Sequence, residues 1–243
     1  MILVSQTAAK AYKSKIEEIS QQLRDDPDNT LLIRERAHLY LARGQTRLAR
    51  VDFDHLEALS SAVHQIRRGK LASDLELNEI GVTYWIEGHL PLAATYWRYT
   101  TESLTANRVA YAEMGGGITT GQLLWFSAVH LRREDDIERT RQLYDARLRS
   151  THWAHKLTGL TGGLVQYFLR QIGGEELLAL ADYPGAHCKA EFALAIRAKE
   201  EARHAAYRKH MRNAATVTDD MMDCYNVPQY FLALFEKQPL KTR

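Results

Sequence analysis

The chain has 243 residues, 45% hydrophobic and 26% charged, enough apolar side chain to bury a substantial core as one extended domain or two closely packed ones. Its formal charge of +2 at pH 7 lacks the basic excess that phosphate neutralisation requires, which argues against a dedicated nucleic-acid binder. No segment approaches the roughly 18 uninterrupted apolar residues of a membrane span, and Met1-Ile2-Leu3-Val4-Ser5-Gln6 has neither a basic stretch nor a long apolar run, so a cytoplasmic location is expected.

Prolines number only five, and no alternating Val/Ile/Thr segments lie between tight-turn dipeptides, so the pattern predicts an all-α fold. From residue 30 onward the chain repeats itself. Ala37, Tyr40, Gly44, Ala49 and Phe53 recur 44 positions later as Gly81, Tyr84, Gly88, Ala93 and Trp97. A small residue three before an aromatic lets two helices approach, and glycine four later ends the first helix in a left-handed cap. The second small residue then packs the return helix against the first. Residues 30–60 and 74–104 are thus two helical hairpins, with a long first return helix ending near Arg67-Arg68-Gly69-Lys70.

After a break in the glycine-rich run Met114 to Gly121, a degenerate third copy is expected over residues 121–150. It reads Ala128, Leu131, Asp135, Thr140 and Tyr144 on the same template, with Asp135 in place of the turn glycine. Beyond residue 150 helices are expected at about 153–172, 175–182, 187–214 and 219–236, the third as one long helix or a hairpin. Residues 151–243 would pack on and cap the stack, the apolar group Tyr230, Phe231, Leu234 and Phe235 sealing its open end.

The small, Tyr, Gly, Ala, aromatic pattern resembles the tetratricopeptide repeat family, although the period of 44 exceeds that family's usual repeat of about 34 residues. The resemblance implies a right-handed α-solenoid of stacked antiparallel hairpins, no cofactor, and a concave groove lined by the first helix of each hairpin. Carried over by position, the groove residues are Arg34, His38, Asn78 and Trp85, with Trp125 and Arg132 from the third copy. Arginine forks, an amide and indoles suit a peptide or a partner helix. The resemblance therefore implies a non-catalytic protein-binding scaffold: an adaptor, a chaperone or a toxin-neutralising immunity protein.

Competing chemistry is thinner. Glu201-Ala202-Arg203-His204 has the spacing that places two metal ligands on one helix face, and Asp52-Phe53-Asp54-His55 is the nearest second copy. His152 and His155 lack an acidic neighbour. Seven cationic against three anionic residues over 186–215 would serve a weak RNA contact through residues 197–212. The glycine run lacks the Lys-Ser/Thr of a phosphate loop, Thr158 to Gly163 reads as a turn or close helix contact, and no nucleophile elbow is present. Cys188 and Cys224 are expected to be ordinary buried thiols.

Overall fold

In a computed structural model, residues 6–68, 74–106, 117–149, 157–216 and 228–236 are described. Among them are twelve α-helices and no strands. They run α1 Gln6–Asp25, α2 Thr30–Ala42, α3 Thr46–Arg68, α4 Asp74–Ile86, α5 Leu90–Thr105, α6 Ile118–Leu131 and α7 Glu134–Arg149. There follow α8 Gly159–Phe168, α9 Gly174–Ala179, α10 Pro184–Glu200, α11 His204–Ala214 and α12 Pro228–Glu236.

Local chemistry sets several boundaries. Asn29 caps α2 by accepting the Leu32 amide at 3.2 Å, and prolines occupy the first turns of α5 and α10, where an absent amide hydrogen costs nothing. Helix α7 opens on Glu134, Asp135 and Asp136 and closes on Arg147 and Arg149, matching its dipole at both ends.

The turns between paired helices share one geometry. In α2/α3 the Gln45 amide donates back to the Tyr40 carbonyl at 2.8 Å, and Gly44 sits at φ 71°. In α4/α5 His89 donates to Tyr84 at 2.9 Å across Gly88, φ 86°; in α6/α7 Arg133 donates to Ala128 at 2.9 Å across Arg132, φ 56°. The same bond recurs from Gln171 to Gln166 across Arg170, and from Arg203 to Ala198 across Ala202. This is the Schellman closure, which satisfies helix-end carbonyls at the price of one left-handed residue.

The third hairpin therefore continues the 44-residue period without a slip, and the expected register for it is corrected by three residues. Ala128 takes the place of Tyr40 and Tyr84, and the turn residue is Arg132 instead of Asp135. Asp135 lies inside α7. The sequence pattern concealed this because it sought a glycine or turn former at a position where arginine stands.

Close helix contacts use small residues. A Cβ on Gly81 would run into the Trp97 indole, whose Nε1 donates to the Asn78 carbonyl at 3.2 Å. A Cβ on Gly121 would lie 2.5 Å from the Tyr144 ring, whose hydroxyl donates to the Ile118 carbonyl at 3.0 Å. In both, the accepting carbonyl lies three residues before the glycine. Gly121 is thus not in a break but inside α6, while residues 114–116 of the expected break lie outside the described residues.

The main apolar core extends from Ile16 to Leu234, and Leu77 and Leu104 form a small second cluster. Helix α10 packs on α6, α8 and α9, pairs with α11, and continues the aromatic path Trp97, Trp85, Phe126, Phe192 with ring centroids 4.8–5.7 Å apart. Of the options for 187–214, the hairpin forms, broken at 201–203. The segments 150–156 and 217–227 lie outside the described residues. Helix α12 packs against α4, α10 and α11.

Candidate functional site

The first helices of the three N-terminal hairpins, α2, α4 and α6, present a row of polar side chains. Arg34, Asn78 and Gln122 occupy one register position, each 44 residues from the next. Arg34 pairs with Glu76, and its Nε stands 3.9 Å from Glu79. His38, one turn further along α2, donates from Nε2 to Glu79 at 2.7 Å. Asn78 donates to the Thr120 hydroxyl at 2.9 Å, and Gln122 donates to the Lys189 carbonyl at 3.1 Å.

Helix α12 closes over this row. Phe231 stacks on the His38 ring at 5.7 Å and an interplanar angle of 22°. Gln229 donates to the side-chain oxygen of Gln122 at 2.7 Å. Tyr207 of α11 donates to Glu236 at 3.0 Å and so holds the far end of α12. His38, Asn78, Glu76, Glu79, Gln122 and Gln229 are all less than 5% exposed.

Burial has an electrostatic consequence at Glu76. Its carboxyl is pushed up to about 7, chiefly by loss of solvent; Arg34 opposes this and the neighbouring Glu79 charge adds to it. On α10 Glu191 goes the other way. There burial would raise the carboxyl, but hydrogen bonds from His210 and Asn213 hold it below its ordinary value.

Matched against protein-family models, curated proteins and solved structures, the chain has no counterpart in any of the three. Its function has to be read from its own geometry.

The residues expected to line an open groove separate into three sets. Arg34, His38 and Asn78 do lie on one inner face, but His38 and Asn78 are buried, His38 beneath Phe231 of α12, and only Arg34 keeps a partly exposed side chain. Trp85 and Trp125 are core: Trp85 packs among Trp97, Phe126 and His130, and Trp125 lies against Phe168 with ring centroids 4.8 Å apart. Arg132 is the exposed left-handed turn residue at the far end of α6. The three-residue slip in register produced the last two assignments. Read at the 44-residue period, the same rule reaches Gln122, which the sequence reasoning missed.

The competing motifs also resolve. Glu201 is the C-cap of α10 and His204 begins α11, with left-handed Ala202 between them, so the pair does not share a helix face; Glu201 instead meets Arg203 at 2.8 Å. Asp52 is held by Arg36 through two bonds of 2.7 and 2.9 Å, and His55 meets Asp28. Among the described residues no group of three or more His, Cys, Asp or Glu is placed to hold a metal ion. Arg197, counted in the basic face, is buried and donates to the Tyr167 and Phe168 carbonyls at the end of α8. Gly163 makes the close contact expected of its motif, against Leu180. Cys188 is buried; Cys224, His152 and His155 lie outside the described residues. None of the helices is long and apolar enough to cross a membrane among the described residues.

Proposed function

We propose that this chain is a non-catalytic, protein-binding scaffold of tetratricopeptide-like hairpins, whose α2/α4/α6 face holds a helical segment of a partner protein. The observation that carries this reading is α12 itself. A short helix, apolar and aromatic along Tyr230, Phe231, Leu232 and Leu234, lies on this face by ring stacking on His38 and amide pairing with Gln122. Grooves that accept amphipathic helices bind in this manner: side-chain anchors supply the area and a few polar pairs set the register. An adaptor, a chaperone and an immunity protein all suit such a face.

The test uses a labelled synthetic peptide of residues 226–238 and the full-length chain. In the parent, α12 competes at the high effective concentration of a tethered segment, so the peptide binds weakly. In full-length Phe231→Ala, with circular dichroism confirming the fold, binding should tighten by about tenfold or more. Absence of saturable binding to the folded variant would refute the groove.

A further inference from the structure

The unmet groups on the inner face are mostly of one kind. Glu76 Oε2, Glu79 Oε2 and Asn78 Oδ1 of α4 are buried without a hydrogen-bond donor, and so is Oε1 of Gln229 on α12. Two donors are unmet as well, Arg34 Nε, which stands 3.9 Å from Glu79 Oε2, and the Trp85 indole Nε1 on α4 itself. Acceptors therefore outnumber donors where α4 meets its neighbours, and two of the acceptors are carboxylate oxygens. Glu76 and Glu79 are 4% and 2% exposed.

Helix α12 does nothing to correct this. Its sequence, Pro228-Gln229-Tyr230-Phe231-Leu232-Ala233-Leu234-Phe235-Glu236, contains no cation, and its one carboxylate is engaged by Tyr207 at the other end. It matches the groove in shape and in the Gln122 amide, but not in charge. The Glu76 carboxyl is raised chiefly by burial, with the Glu79 charge adding to it, in spite of its pairing with Arg34.

We infer that the partner segment is a helix bearing a lysine or arginine that α12 lacks, whose cation takes the unmet carboxylate oxygens of Glu76 and Glu79 and so displaces α12. The inference rests on the helix-groove reading above. It makes α12 a placeholder: good enough to cover the apolar face and keep the chain from sticking to others, incomplete enough to yield to a better-matched helix. A hydrogen-bonded cation between two buried carboxylates discriminates strongly against any helix that leaves them unpaired.

The experiment titrates fluorescently labelled 228–236 peptides, unsubstituted or with one lysine at each position from 229 to 235, into the full-length chain and its Phe231→Ala variant, read by anisotropy. At one or two positions lysine should tighten binding by about tenfold, and full-length E76Q/E79Q should lose that gain while still binding the unsubstituted peptide. If the double variant fails to fold, E79Q alone supplies the comparison. Binding of the unsubstituted peptide with no gain from any lysine, or a gain that survives in the glutamine variants, overturns the cation inference and leaves the groove standing. No binding by any peptide to folded Phe231→Ala overturns the groove reading and the inference with it.

Discussion

The second hairpin, α4/α5, and the third, α6/α7, answer the same geometric problem with different residues. Both close with the same backbone bond in the same period, His89 to Tyr84 and Arg133 to Ala128. Yet the second turns on glycine and the third on arginine. The small residue that admits the return helix's aromatic lies seven residues before the turn in the second hairpin, at Gly81, and eleven before it in the third, at Gly121. The ring has moved by one helical turn while the backbone closure stayed in place. Helix-end hydrogen bonds must be satisfied at a fixed place, whereas a ring can enter at any turn where a Cβ is missing. The inner faces differ too: Glu76 in the second hairpin has Thr120 as its counterpart in the third, so a carboxylate in one becomes a hydroxyl in the other.

Four perturbations bear on this comparison. The largest effect is expected from Trp85→Ala. It removes an indole packed against both hairpins and should cost about 3–5 kcal/mol in urea unfolding; an effect below about 1 kcal/mol, typical of a surface change, would mean that Trp85 is not core.

Next comes the carboxylate that only the second hairpin carries. Because burial raises the Glu76 carboxyl to about 7 in the folded state, the folded chain keeps a proton that the unfolded chain has released above about pH 4.5. The favourable contribution is full below about pH 4.5 and is lost as pH rises through 7, on the order of 3 kcal/mol in all. Stability curves of parent and Glu76→Gln between pH 5 and 8 should diverge accordingly, the variant being flatter. Parallel curves would show that Glu76 keeps its ordinary acidity.

Smaller losses should follow Gly81→Ala and Gly121→Ala, about 1–3 kcal/mol each, because a methyl meets an aromatic ring in both. Equal thermal shifts would sharpen the equivalence of the two contacts; a neutral Gly121→Ala would break it. The smallest and most diagnostic pair exchanges the turn residues. Arg132→Gly should stabilise by up to about 1 kcal/mol, and Gly88→Arg should destabilise by a similar amount, since only glycine enters the left-handed region freely. A destabilising Arg132→Gly would show that the arginine side chain has a structural role of its own.

How much was legible follows from which interactions are local. The first two hairpins could be read from residues 30–60 and 74–104 because Gly44 and Gly88 mark their own turns, and small and aromatic residues keep their spacing. The third was found but displaced, since Arg132, Arg170 and Ala202 adopt the same backbone without announcing it. The inner polar row was half visible: Arg34, His38 and Asn78 follow from the repeat, and Gln122 would have followed from strict use of the period. Trp85 looked like a ligand anchor because the sequence carries no sign of whether a face stays open, and Trp125 because the third hairpin was read three residues out of register.

By itself, then, the sequence determined the all-helical class and the first two hairpins with their 44-residue period, which arise from propensity, helix-end chemistry and the spacing of small and large side chains along one segment; it left α1 unmarked and the third hairpin out of register. Tertiary structure alone decided that α12 returns across more than a hundred residues to lie on the inner face, Gln229 on Gln122 and Phe231 on His38. A short apolar helix can bury its aromatic face on any exposed apolar surface, and nothing in Pro228 to Glu236 names the surface. That choice depends on which faces α10 and α11 leave uncovered, a property of the assembled fold.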